Sequence, residues 1–80
     1  MTEDQARHAV VVLYGMTGAD TTPHRDGGRW YVSVSLGIGL HVTVESGPHG
    51  GLKVTFPDES RCLAQDVVRA GEHIQLAFSA

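Results

Sequence analysis

The chain contains a single cysteine, Cys62, so no intramolecular disulfide is available, and a reducing, cytoplasmic setting is expected. Basic residues are scarce. Five arginines and Lys53 face nine acids, which leaves a net charge of -3 and a pI near 5.9. Binders of nucleic-acid backbones normally need a clustered basic patch, so direct nucleic-acid binding is not expected. Long apolar runs are missing too. The run Ala9–Tyr14 is far short of the roughly 20 residues of a membrane helix, and no membrane partner, anchor or signal segment is expected.

What is present is a composition of 41% apolar and 19% charged residues over 80 positions. That suits one folded domain over residues 1–80 and leaves no room for a second. Thr2 followed three residues on by Gln5 is a capping-box pattern. Ala6, Ala9, Val10, Leu13 and Tyr14 then recur at helical spacing, and Gly15 reads as the C-terminal cap. The β-branched run Val10–Val12 offers a rival strand over His8–Tyr14. The agreement of caps with period favours the helix. Residues 15–28, rich in glycine and threonine, read as a flexible loop with at most a brief extended piece at Thr21–His24. Asp26-Gly27-Gly28 reads as a turn into the sheet.

From Trp30 the period changes from 3.6 to 2. Trp30, Val32, Val34 and Leu36 alternate with Tyr31, Ser33 and Ser35; Leu40, Val42 and Val44 alternate with His41, Thr43 and Glu45; Leu52, Val54 and Phe56 alternate with Lys53 and Thr55. Three strands joined by glycine loops predict an antiparallel meander with one apolar face, and no proline within a strand. Pro57 stops the third strand, and Asp58 reads as the N-cap of a second helix carrying Leu63, Val67 and Ala70, closed by Gly71. Ile74, Leu76 and Phe78 then alternate as a last strand, parallel to the first or third. The expected fold is therefore α+β, a two-layer sandwich of order α-β-β-β-α-β with two helices on one face. They should cover Trp30, Val32, Val34, Val42, Val44, Val54, Ile74 and Leu76.

The uncovered face is expected to show Tyr31, Ser33, Ser35, His41, Thr43, Glu45, Lys53, Thr55, His73, Gln75 and Ala77. Short, weakly charged side chains cost little to desolvate. Tyr31, His41, Thr43, His73 and Gln75 are the candidate binding residues. With few charges guarding the strand edges, a homodimer is expected through a two-fold contact that includes Tyr31, His41 and Thr43.

Chemistry-bearing patterns are thin. Five histidines (His8, His24, His41, His49, His73) include no closely spaced ligand pair, so no metal is expected. Cys62 reads as a small buried hydrophobe. No nucleophile–base order and no phosphate loop stands out; the chain is expected to be neither an enzyme nor a cofactor carrier.

Two resemblances remain. Glu45-Ser46-Gly47-Pro48-His49, followed by a strand and a helix, resembles the Gly-Pro-x-His loop of double-stranded RNA-binding domains. Here the loop follows the second strand, and Asp58-Glu59-Ser60-Arg61 stands where that family carries lysines. That resemblance implies an RNA-binding module. In profile, the chain is also similar to small phage-encoded inhibitors such as anti-CRISPR proteins, which cover a functional surface of a larger nucleoprotein. Its acids (Glu3, Asp4, Asp20, Asp26, Asp58, Glu59, Asp66, Glu72) are expected on helices and loops, placed to meet a basic channel. The expected function is thus non-enzymatic binding to a larger protein or nucleoprotein, with the RNA-binding module as the alternative.

Overall fold

The computed structural model describes residues 1–79. Helix α1 (Glu3–Thr17) is followed by β1 (Thr21–Asp26), β2 (Arg29–Gly37), β3 (Leu40–Ser46), β4 (Leu52–Thr55), β5 (Arg61–Ala64) and helix α2 (Val67–Ser79), with a 3-10 turn at Pro48–Gly50. The strands form one antiparallel sheet in sequence order, β1-β2-β3-β4-β5. Both helices cover one face. The two-layer α+β class therefore holds, but the element order is α-β-β-β-β-β-α.

Local chemistry explains α1. The Gln5 N–H donates to Thr2 Oγ1 at 3.1 Å, and the Thr2 N–H donates to Gln5 Oε1 at 2.9 Å, which closes the capping box. The helix runs through Gly15 and stops at Gly18, whose φ of 68° supplies the left-handed cap and whose N–H donates to the Tyr14 carbonyl. The Thr17 hydroxyl donates to the Leu13 carbonyl at 2.7 Å, satisfying part of the last turn.

The segment read as a loop contains a full strand. All six residues of β1 pair with β2, from Thr21↔Val34 to Asp26↔Arg29. Gly27 and Gly28, with φ of 58° and 82°, make a hairpin turn whose twist suits the flanking strands. Apolar alternation is missing because β1 lies at the sheet edge, and Pro23 stands within it, against expectation. Between β2 and β3 the register slips at Ser35/Gly37, a bulge that inserts Leu36.

The C-terminal third departs furthest from the sequence pattern. Asp58 caps a turn instead of a helix: its carboxylate accepts the Ser60 N–H at 3.0 Å and the Ser60 hydroxyl at 2.6 Å. Glu59 takes a left-handed φ of 69°, and the chain reverses into β5, registered Thr55↔Arg61 to Leu52↔Ala64. The second helix starts later, where Asp66 accepts the Arg69 N–H at 2.9 Å. It then runs through Gly71 and takes in Ile74, Leu76 and Phe78, so the last strand does not exist. Gly71 ends nothing; it faces α1 at close range, since a Cβ there would strike Met16 Sδ and reach Leu13.

Val32, Val34, Val42, Val44 and Val54 from the sheet join Ala6, Ala9, Leu13, Ala70 and Ile74 from the helices in one core. Several expected core or stripe residues fall outside it, partly buried Val10 and exposed Leu63 among them. Leu76 is 69% exposed, Tyr14 is exposed, and Trp30 is half-buried at the edge of the core. Leu76 moves out because a helix, unlike a strand, turns a residue two places from buried Ile74 towards a different face. Both helices start at the end of the sheet marked by Ser46, Leu52 and Ala64, and run in the same direction. The Met1 amino group reaches Ser46 Oγ, and near the other end Gln75 Nε2 donates to the Met16 carbonyl at 2.7 Å.

Candidate functional site

Strand alternation places Thr22, His24, Arg29, Tyr31, Ser33, Ser35, His41, Thr43, Glu45, Lys53, Thr55, Arg61 and Leu63 on the face away from the helices. Across β1, β2, β3 and β4 the register lines up Thr22, Ser33, Thr43 and Thr55 as a row of hydroxyls, ending on Arg61 of β5. The neighbouring row begins with His24 and Tyr31, directly paired. Their rings stack at 4.9 Å between centroids and 20° between planes. His24 Nε2 lies 2.8 Å from Ser33 Oγ, which fixes the imidazole orientation from a second side. Backbone pairing and side-chain packing thus both hold this pair in place.

Tyr31 stands between two shallow hollows. One, of about 370 Å³, is lined by Thr22, His24, Tyr31, Ser33, His41 and Thr43 and carries no carboxylate, lysine or arginine. The other, of about 290 Å³, is lined by Asp26, Arg29, Trp30, Tyr31, Thr43 and Glu45. Glu45 is also tied to Lys53 at 3.1 Å, so one charge on this face is neutralised within the protein. The face offers an aromatic ridge, hydroxyls in fixed rows and one hollow without charged side chains.

Tyr31, His41 and Thr43 therefore lie together, whereas His73 and Gln75 do not join them. Both belong to α2, on the other side of the sheet, and the Gln75 amide is engaged with the end of α1. The expectation that they share the open face depended on a strand at 74–78 and falls with it. His24 and Thr22 take their places. Asp26-Gly27-Gly28 was the usable signal for them, because a two-glycine hairpin turn implies a strand on both sides.

A larger groove of about 670 Å³ opens between α2 and the end of the sheet, lined by Leu36, Phe56, Pro57, Asp58, Ser60, Arg61, Cys62, His73, Leu76 and Ala77. It brings Cys62 and His73 into one lining, an arrangement the sequence did not reveal. Burial pushes the Cys62 thiol above its ordinary value of 9.0, which holds it protonated and works against a nucleophilic role. Asp58 is held low by the Ser60 hydroxyl and N–H. Among the described residues no three His, Cys, Asp or Glu side chains form a group that could hold a metal ion. No described helix is long and apolar enough to cross a membrane.

The fold and this face define a small α+β sandwich with one side of its sheet uncovered. No protein-family model, curated protein or solved structure matches the chain.

Proposed function

We propose that the chain is a non-enzymatic binding protein that covers a surface of a larger protein or nucleoprotein with the open face of its sheet, as small phage-encoded inhibitors such as anti-CRISPR proteins do. The observation that carries this reading is the stacked His24–Tyr31 pair, held between two hollows on a sheet face with no helix over it. Rigid aromatic side chains supply contact area at low entropic cost, and a rim of charge supplies orientation. Glu3, Asp4, Asp20, Asp26, Asp58, Glu59, Asp66 and Glu72 are all exposed, which suits a partner with a basic surface. A free cysteine fits a cytoplasmic site of action.

The test compares wild type with Tyr31→Ala and Thr43→Arg in affinity capture from host lysate, followed by calorimetry with the purified partner. Loss of a stoichiometric partner in both variants, with circular dichroism unchanged, supports the reading. Equal capture by all three sinks it. Binding of a labelled RNA duplex that weakens steeply with salt would install the RNA-binding module instead.

A further inference from the structure

The two edges of the sheet are built differently. In an antiparallel ladder, alternate residues direct their N–H and C=O towards the neighbouring strand, and the others direct them away. On the β1 side the Ser35 N–H donates to the Asp20 carbonyl, so the inward positions are the even ones, and Thr21, Pro23 and Arg25 point outward. Pro23 thus removes the middle donor of that edge without costing a bond inside the sheet, and Arg25 and Asp26 add charge. These are the usual guards against strand addition.

On the β5 side the Phe56 N–H donates to the Ser60 carbonyl. Cys62 and Ala64 therefore face β4, whereas Arg61 and Leu63 present their N–H and C=O groups to solvent. No proline interrupts this edge. Leu63, on its open face, is 61% exposed, and Leu76 of α2, in the groove beside Cys62, is 69% exposed. Arg61 is the one charge on this strand, and open polar backbone with no proline coincides with exposed apolar side chains on this edge only.

We propose that β5 pairs antiparallel with β5 of a second copy of this chain, about a two-fold axis at Cys62. The partner is a second copy because β5 is complementary to itself. With Cys62 opposite its symmetry mate, Arg61 of each chain lies opposite Leu63 of the other. These are the two outward-facing residues, so four N–H···O=C bonds use every outward backbone group of both strands. The match in length is also intrinsic. β5 has four residues, closed by the Asp58–Ser60 turn at one end and by the Asp66-capped start of α2 at the other, so a longer foreign strand finds no further edge to follow. The charges agree as well: each guanidinium stem covers a leucine instead of meeting another arginine. Asp58 and Asp66, which come closest across the two ends, are each engaged with neighbouring donors of their own chain. The dimer leaves Tyr31, His41 and Thr43 free and joins two open faces into one ten-stranded surface.

Sedimentation equilibrium tests this directly, with mass read against the 8.6 kDa of one chain. Wild type is expected to approach twice that mass as concentration rises. Leu63→Lys sets like charges directly opposite at Arg61 and should weaken association at least tenfold; Leu63→Glu sets opposite charges there and should preserve it. Position 63 is exposed, so both variants keep the fold, which circular dichroism verifies. His41→Glu should leave the dimer unchanged. Amide exchange at Arg61 and Leu63 should slow with concentration, and exchange at Thr21 and Arg25 should not. A wild type that stays monomeric to millimolar concentration, a dimer indifferent to Leu63→Lys, or a dimer lost in Leu63→Glu as well as in Leu63→Lys overturns the proposal.

Discussion

The two helices sit side by side on the same sheet and owe their existence to different things. Helix α1, besides burying Ala6, Ala9 and Leu13, carries its own local signals: the Thr2–Gln5 capping box, the Arg7–Glu3 ion pair at 2.9 Å, and the left-handed Gly18. Helix α2 carries a glycine in its middle, which weakens any isolated helix by roughly 1 kcal/mol relative to alanine. It forms where Ile74 and Ala70 meet the core, where Gly71 lets Met16 and Leu13 come close, and where Gln75 reaches the end of α1. Helix α1 has local signals at both ends, whereas α2 has only the Asp66 cap at its start and leans more on packing.

That contrast can be sharpened by substitution, beginning with the largest effect. Ile74→Ala, at a fully buried position, should cost about 2–5 kcal/mol in urea unfolding and melt α2 before the sheet, seen as early loss of amide protection over 67–78. Gly71→Val should cost about 1–3 kcal/mol, because Met16 must move and a β-branched side chain enters the helix contact. Gly71→Ala should fall within about 1 kcal/mol of wild type, since the Met16 tip is flexible and alanine favours the helix. Equal costs for the two Gly71 variants would show that the close approach is not what α2 depends on.

Thr2→Ala should cost about 1 kcal/mol in the whole protein and should also lower the helicity of a peptide spanning residues 1–18. A peptide spanning 66–79 should show little helix at the same temperature by circular dichroism; helicity equal to that of the first peptide would erase the contrast. The smallest effect belongs to the turn that leads into β5, the strand before α2. Asp58 is held below its ordinary value of 3.8 by Ser60, so its contribution is full above 3.8 and fades as the pH falls through the lowered folded value. Acid titration of wild type against Asp58→Asn should show this loss in the first protein and not in the second.

The same contrast explains what could be read from the sequence. The meander over β2, β3 and β4 was legible because one face of each strand is buried and the other is not, so Val32, Val42 and Val54 announce themselves by period. Helix α1 was legible through its cap. β1 was not, because an edge strand with threonine, proline and histidine has no apolar face to alternate. In the C-terminal third, Asp58 really does cap something, but the short side chain serves a turn as readily as a helix. Gly71 reads as a stop because, from sequence, a glycine at a helix end and a glycine at a helix–helix contact look alike. Of the candidate site, Tyr31, His41 and Thr43 came with the meander, whereas His24 came only with β1, and His73 and Gln75 were lost with the strand that did not form.

An odd number of antiparallel strands between two helices sends both helices the same way. Their backbone dipoles therefore add instead of cancelling, and both negative ends lie at the end of the molecule where the groove opens, with no basic residue in the last turn of either helix. The protein is electrically polar along the direction of its helices, independently of its side-chain charges. A cationic group docking against the helix ends at the groove is favoured and an anionic one disfavoured, an effect confined to the last turn of each helix and weakened by salt.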